Sequence, residues 1–235
     1  MYLMLAAALL PAILLGLYIW RKDPVPEPTK WLLKAFFAGV GLCIPVAFIE
    51  NFISHWIFAN GDPTTLFGTT VQAFFVAAVP EECAKLLALW LILRRNPYFD
   101  EHFDGIVYAV FVGLGFAAIE NVFYVLGAGD RWVTVAAMRS LLAVPGHYAF
   151  AIMMGYYYSK YHFIDHSKTN AVKILLVPVM AHGVYDAIAM SGSVDPLAGG
   201  IGFFVLIYFC IKLHKAAQRK ITDLAASSIR NSSAQ

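Results

Sequence analysis

The chain has 235 residues, of which 60% are hydrophobic and 14% charged, and its 17 basic and 15 acidic side chains leave a formal net charge of +2. So large an apolar share excludes an ordinary soluble domain, and so small a net charge gives no ground for a nucleic-acid partner. The composition is that of an integral membrane protein, an all-α bundle whose first partner is the lipid bilayer.

Residues 2–20 are an apolar run of spanning length closed by Arg21 and Lys22. No basic stretch precedes the run and no small-residue cleavage site ends it, so it reads as a retained helix rather than a signal peptide. Asp23-Pro-Val-Pro-Glu-Pro28 is a stiff linker that cannot be helical. A second span follows over about 31–58, a turn at Asn60-Gly-Asp-Pro63, and a third span over about 66–93 that ends in Arg94-Arg95-Asn96-Pro97. After a polar link at 98–103, the fourth span takes about 104–126 and Gly127-Ala-Gly-Asp130 turns the chain. The fifth covers about 132–158, the sixth about 171–190 and the seventh about 197–213. Residues 1–215 thus form one transmembrane domain, with the motif-bearing bundle at 31–213, and the basic, Ser/Ala-rich tail at 216–235 reads as disordered. Cys43, Cys83 and Cys210 lie in apolar runs without metal-ligand or disulfide spacing.

Basic residues orient the seven helices. Arg21, Lys22, Lys30, Lys34, Arg94, Arg95, Lys160, Lys168, Lys173, Lys212, Lys215, Arg219, Lys220 and Arg230 all follow odd-numbered spans, whereas Arg131 alone lies on the other side. The positive-inside rule then puts the N-terminus outside and the C-terminus in the cytoplasm of a multi-pass cell-membrane protein.

The third span carries the costliest residues. Glu81, Glu82 and Lys85 stand within five positions, and each charge at mid-bilayer costs roughly 2.5–3.5 kcal/mol on insertion scales. On a helix Glu81 and Lys85 share a face while Glu82 points about 100° away and still reaches Lys85, which gives the two carboxylates different jobs. Pro80 removes a backbone donor beside them. A buried Glu-Lys clamp and a functional site both fit this stretch by itself.

Other ionisable groups fall at the same depth, between the midplane and the outer half: Glu120, His147, His182 and Asp186, with Pro145 and Pro178 preceding the histidines. Prolines that open a helix beside a charge are expected where the groups line a wet cavity. Two carboxylates and two histidines in one layer are the parts needed to activate a water and hold an oxyanion. Glu50 and Arg139, also within spans, read as structural. A proton relay is the rival, but a relay needs polar groups from face to face, and the cytoplasmic half of the bundle is nearly free of them. Zinc is the other alternative, since Glu81, Glu82, Glu120, His147 and His182 offer enough donors, although His-Glu-x-x-His is absent and Lys85 would repel a dication. The expectation is no metal and no other cofactor.

Glu81-Glu-Cys-Ala-Lys85, Phe116-Ala-Ala-Ile-Glu120 and His182-Gly-Val-Tyr-Asp186, in this order on separate spans, resemble the EExxK, FxxxE and HxxxD motifs of the PrsW family of intramembrane proteases. That family is similar to the group containing the CAAX prenyl endopeptidases. The resemblance implies a peptidase of the bacterial cytoplasmic membrane that cuts a single-span membrane protein, an anti-sigma factor, on its outer side. It also implies that Glu81 or Glu82 activates the water, that Glu120 is a second active-site acid, and that His182 with Asp186 forms the oxyanion-side or water-orienting pair. The prenyl-protease relatives have His where this chain has Glu120, and His147 is the residue placed to stand in. Lys85 and Asn121 are assigned to substrate binding.

Overall fold

The structure is a computed structural model that describes residues 1–59 and 63–232, with side chains to residue 226, so the expected turn at 60–63 lies largely outside it. Among the described residues all regular structure is helical. Seven helices follow one another: α1 (Tyr2–Lys22), α2 (Thr29–Phe58), α3 (66–93), α4 (Asp104–Gly127), α5 (132–164), α6 (Lys168–Met190) and α7 (Pro196–Ser232). Six are long and apolar enough to cross a membrane, and α3, which carries Glu81, Glu82 and Lys85, is not among them.

The bundle is built around α4. Of its apolar window 78% is buried, against 17% for α1 and 28% for α2, so α4 is the axis and the others are its shell. Tyr108, Ile106 and Leu114 of α4 pack with Phe150 and Ile152 of α5 and Leu32 of α2 in the main core. In a membrane, helices are drawn together by close packing rather than by expulsion of water, which favours small residues at contacts. A Cβ on Gly115 would stand 2.0 Å from the carbonyl oxygen of Phe36, and one on Gly155 would stand 2.2 Å from that of Gly105. Backbone meets backbone there, pinning α4 against α2 and α5.

α3 and α5 share a local device. Each contains a π turn, Gln72–Ala78 in α3 and Arg139–Ala143 in α5, and in each a proline follows within two residues. In the wider turn a carbonyl accepts from the N–H five residues on, Phe74 from Val79 and Arg139 from Val144. A helix already in this register takes in a proline, with its missing donor, without a sharp break. The proline then leads directly to a polar side chain, Glu81 in one case and His147 in the other.

The tail differs from expectation. α7 continues as helix to Ser232 instead of becoming disordered after 215, and Ala217, Ile221 and Leu224 are buried in the main core. These three form a narrow i, i+4, i+7 stripe that the surrounding polar residues obscure in sequence. The Tyr156 hydroxyl donates to Asp223 at 2.8 Å and the Lys220 ammonium lies 3.9 Å from the Tyr156 ring centre, tying this extension to α5.

The α1–α2 linker is equally ordered. Asp23 accepts hydrogen bonds from the backbone N–H groups of Val25 and Glu27, and the Tyr108 hydroxyl donates to Glu27. Both carboxyls are buried, and burial pushes Asp23 up to about 7 and raises Glu27 as well.

Candidate active site

The first turn after Pro80 supplies Glu81, Glu82 and Lys85, all buried. The Lys85 ammonium donates to Glu81 Oε2 and to Glu82 Oε1, each at 2.8 Å, and stands 3.2 Å from His147 Nδ1. Its three donors are thus matched by three acceptors, which is how a buried ammonium is tolerated. The i+3 and i+4 spacings let one cation serve both carboxylates.

From Lys85 the network runs both ways. His147 Nε2 faces Glu120 Oε2 at 3.0 Å, and Arg139 Nη2 donates to the same oxygen at 2.8 Å. Since Nδ1 of His147 meets a donor, its Nε2 carries the proton that goes to Glu120. On the other side His182 Nδ1 faces Glu82 Oε1 at 2.9 Å and its Nε2 faces Asp186 Oδ2 at 3.2 Å. With a carboxylate at each ring nitrogen, His182 donates twice. Phe150 stacks on the His182 ring at 4.8 Å and fixes its plane.

A cavity of about 840 Å³ opens onto this network. Glu81, Glu120, His147, His182 and Asp186 line it, whereas Glu82 and Lys85 do not. The face expectation therefore holds in detail: Glu81 meets the cavity while Glu82, fully buried, meets Lys85 and His182. The eight residues singled out in the sequence fall in one connected network, Asn121 joining it through Arg139. Asn121 does not reach the cavity; its side chain is fully buried, donating to the Ala8 carbonyl and accepting from Arg139 Nε at 2.9 Å. Its assignment to substrate binding is corrected accordingly, because it holds Arg139. Lys85 is likewise closed off at 3% exposure and contacts the carboxylates rather than the cavity.

Two residues read as structural belong to the site. Arg139 lines the cavity and clamps Glu120, and Glu50 of α2 lines the same cavity. The sequence carried one signal for both, a charge inside a span without an adjacent partner.

Residues 27–213, which include every residue of this network, match the family model described as PrsW family intramembrane metalloprotease. The chain belongs to the PrsW family. It is 36% identical to Protease PrsW of Oceanobacillus iheyensis over 78% of this chain and 81% of that protein. It is 32% identical to Protease PrsW of Geobacillus kaustophilus over 94% and 93%, and 35% identical to that of Bacillus subtilis over 80% and 83%. No solved structure matches the chain. The motif-bearing helices, the membrane-spanning bundle and these relatives together make the protein a multi-pass membrane peptidase of the PrsW family.

The family description raises a metal, and the residues can be tested for it. One ligand atom from each of Glu81, Glu82, His147 and His182 lies within 4.8 Å of the others, and a set of carboxylate and imidazole donors suits zinc. The Lys85 ammonium, however, already bonds three of the four, and both nitrogens of His182 are committed to carboxylates. A dication would have to displace an ammonium ion-paired to both glutamates and take a proton from His182. As arranged, these side chains do not fit a metal.

Proposed function

We propose that the protein is an intramembrane endopeptidase that cuts a single-span membrane protein with a water activated by Glu81, without a metal. The observation that carries this reading is the division within the pair, in which Glu81 alone faces the cavity while Glu82 and Lys85 are sealed behind it. Glu81 takes a proton from the water, and the hydroxide adds to the scissile carbonyl carbon. The charge that develops on the carbonyl oxygen is met by the N–H of His182 on its Asp186 side, the longer of the ring's two contacts. Glu82 holds the other side of that ring and Lys85 supplies the countercharge for both glutamates. Glu120, fixed by Arg139, orients His147. The basic residues put the N-terminus outside, so the cavity opens toward the outer face of a bacterial cytoplasmic membrane. An anti-sigma factor with one span fits that geometry as the substrate class.

The test uses purified protein in lipid with a single-span candidate substrate, reading the new terminus. Glu81→Gln is expected to lower cleavage by roughly a hundredfold or more with the fold retained, and prolonged treatment with a permeant chelator is expected to leave activity in place. A second reading, zinc at the same site, is favoured by the 4.8 Å convergence of four donors. Loss of cleavage on chelation, restored by zinc, would decide for it.

A further inference from the structure

Peptide hydrolysis needs a second proton transfer. When the carbon–nitrogen bond breaks, the leaving nitrogen must take a proton, or it departs as an amide anion. Most ionisable side chains on the cavity wall are already engaged: Glu81 by Lys85, Glu120 by Arg139 and His147, and Asp186 by His182. Among the carboxyl groups of the wall, Glu50 is the exception. It lines the cavity from α2, takes part in none of the hydrogen bonds or ion pairs among the described side chains, and its Oε1 is buried without a partner. It shares that cavity with Glu81 and Glu120, so a peptide bond held there is open to Glu50 as well as to Glu81. A buried carboxyl oxygen with no donor aimed at it calls for an occupant, and a proton on that oxygen is the simplest one.

We infer that Glu50 is a further catalytic residue, the acid that protonates the leaving nitrogen; this rests on the reading of Glu81 as the base. The balance is complete. Glu81 removes one proton from the water, the hydroxide forms the new carbon–oxygen bond, and the carbon–nitrogen bond breaks as the nitrogen takes the proton of Glu50 Oε1. The products leave as a carboxylic acid and an amine, which exchange a proton to become carboxylate and ammonium, and the proton held by Glu81 returns to Glu50 through the cavity to reset the pair. Asn51 and Ser54, one and four residues on, line the same wall and give that proton a polar path.

The leaving group provides the test. A synthetic single-span peptide that the wild type cuts is made twice, once with the scissile amide and once as the depsipeptide with an ester at that bond. An ester leaves as an alkoxide, which needs far less help from an acid than an amide nitrogen does. Glu50→Gln is expected to slow amide cleavage by roughly a hundredfold or more while slowing ester cleavage less than about tenfold, and Glu50→Asp to recover part of the amide rate. Glu81→Gln serves as the control and is expected to abolish both. Equal loss of amide and ester cleavage in Glu50→Gln, or unchanged amide cleavage, would overturn the role of Glu50 while leaving Glu81 as the base. Full ester cleavage by Glu81→Gln would instead overturn the reading of Glu81, and the inference with it.

Discussion

Arg139 holds two side chains of α4 at once, its Nε on Asn121 and its Nη2 on Glu120, and it lies 3.9 Å from the Tyr124 ring centre. A lysine has one ammonium on a flexible stem and cannot reproduce the planar fork or its stacking. Arg139→Lys is therefore expected to lose one charge-assisted bond, about 1.5–3 kcal/mol, and roughly ten- to hundredfold in kcat/KM, with the protein still folded. A variant at wild-type rate would show that Glu120 holds His147 unaided. Glu81, Glu82, His147, His182 and Asp186 were legible in the sequence because an ionisable side chain inside a span is costly and so marks itself. The roles of Arg139 and Glu50 were not, since each stands without a charged neighbour on its own helix and takes its meaning from α4 and α3. Asn121 erred for the opposite reason, its place beside Glu120 in the chain turning it to the other side of α4.

Among the elements, the linker between α1 and α2 is the part most exposed to pH. Asp23 rises from 3.8 to about 7 because burial penalises its charge, so the folded protein binds that proton more tightly than the unfolded chain does. The stability it contributes is fully present below 3.8 and is lost as the pH climbs through about 7. Thermal melting in detergent is expected to fall across that window, and Asp23→Asn, which stays neutral, is expected to flatten the slope. A variant that melts with the wild-type pH dependence would place the titration elsewhere. The linker's stiffness was readable from its prolines, and its burial was not, because Tyr108 lies far along the chain in α4. The helical extension of α7 was hidden similarly, its three buried residues spaced among lysines and polar groups whose heads can remain in water.

For the molecule as a whole, the proposed side of the site rests on the asymmetry of its basic residues. In a cysteine-free background, a cysteine at Gly129 is expected to react with an impermeant thiol reagent added outside sealed cells, and one at Lys168 is expected to be silent. Labelling at Lys168 would invert the orientation and turn the cavity toward the cytoplasm. The number of spans was legible from runs of apolar residues, since each must be long enough to cross hydrocarbon. Gly115 and Gly155 are recognisable in sequence as places of close helix approach, whereas the carbonyls they meet, those of Phe36 and Gly105, are not, because each lies on another helix.

The π turns ahead of Pro80 and Pro145 also bear on how such a helix is inherited. A turn that bonds five residues on, set between turns that bond four on, holds one residue more than the continuous helix would need. Deleting a single codon within 72–78 would remove that surplus and leave the preceding part of α3 in its present phase with Glu81, Glu82 and Lys85. The same holds for 139–143 and His147. Alignments across these two segments should therefore carry single-residue gaps that stop at the prolines, so that helix length varies while the reaction centre stays fixed.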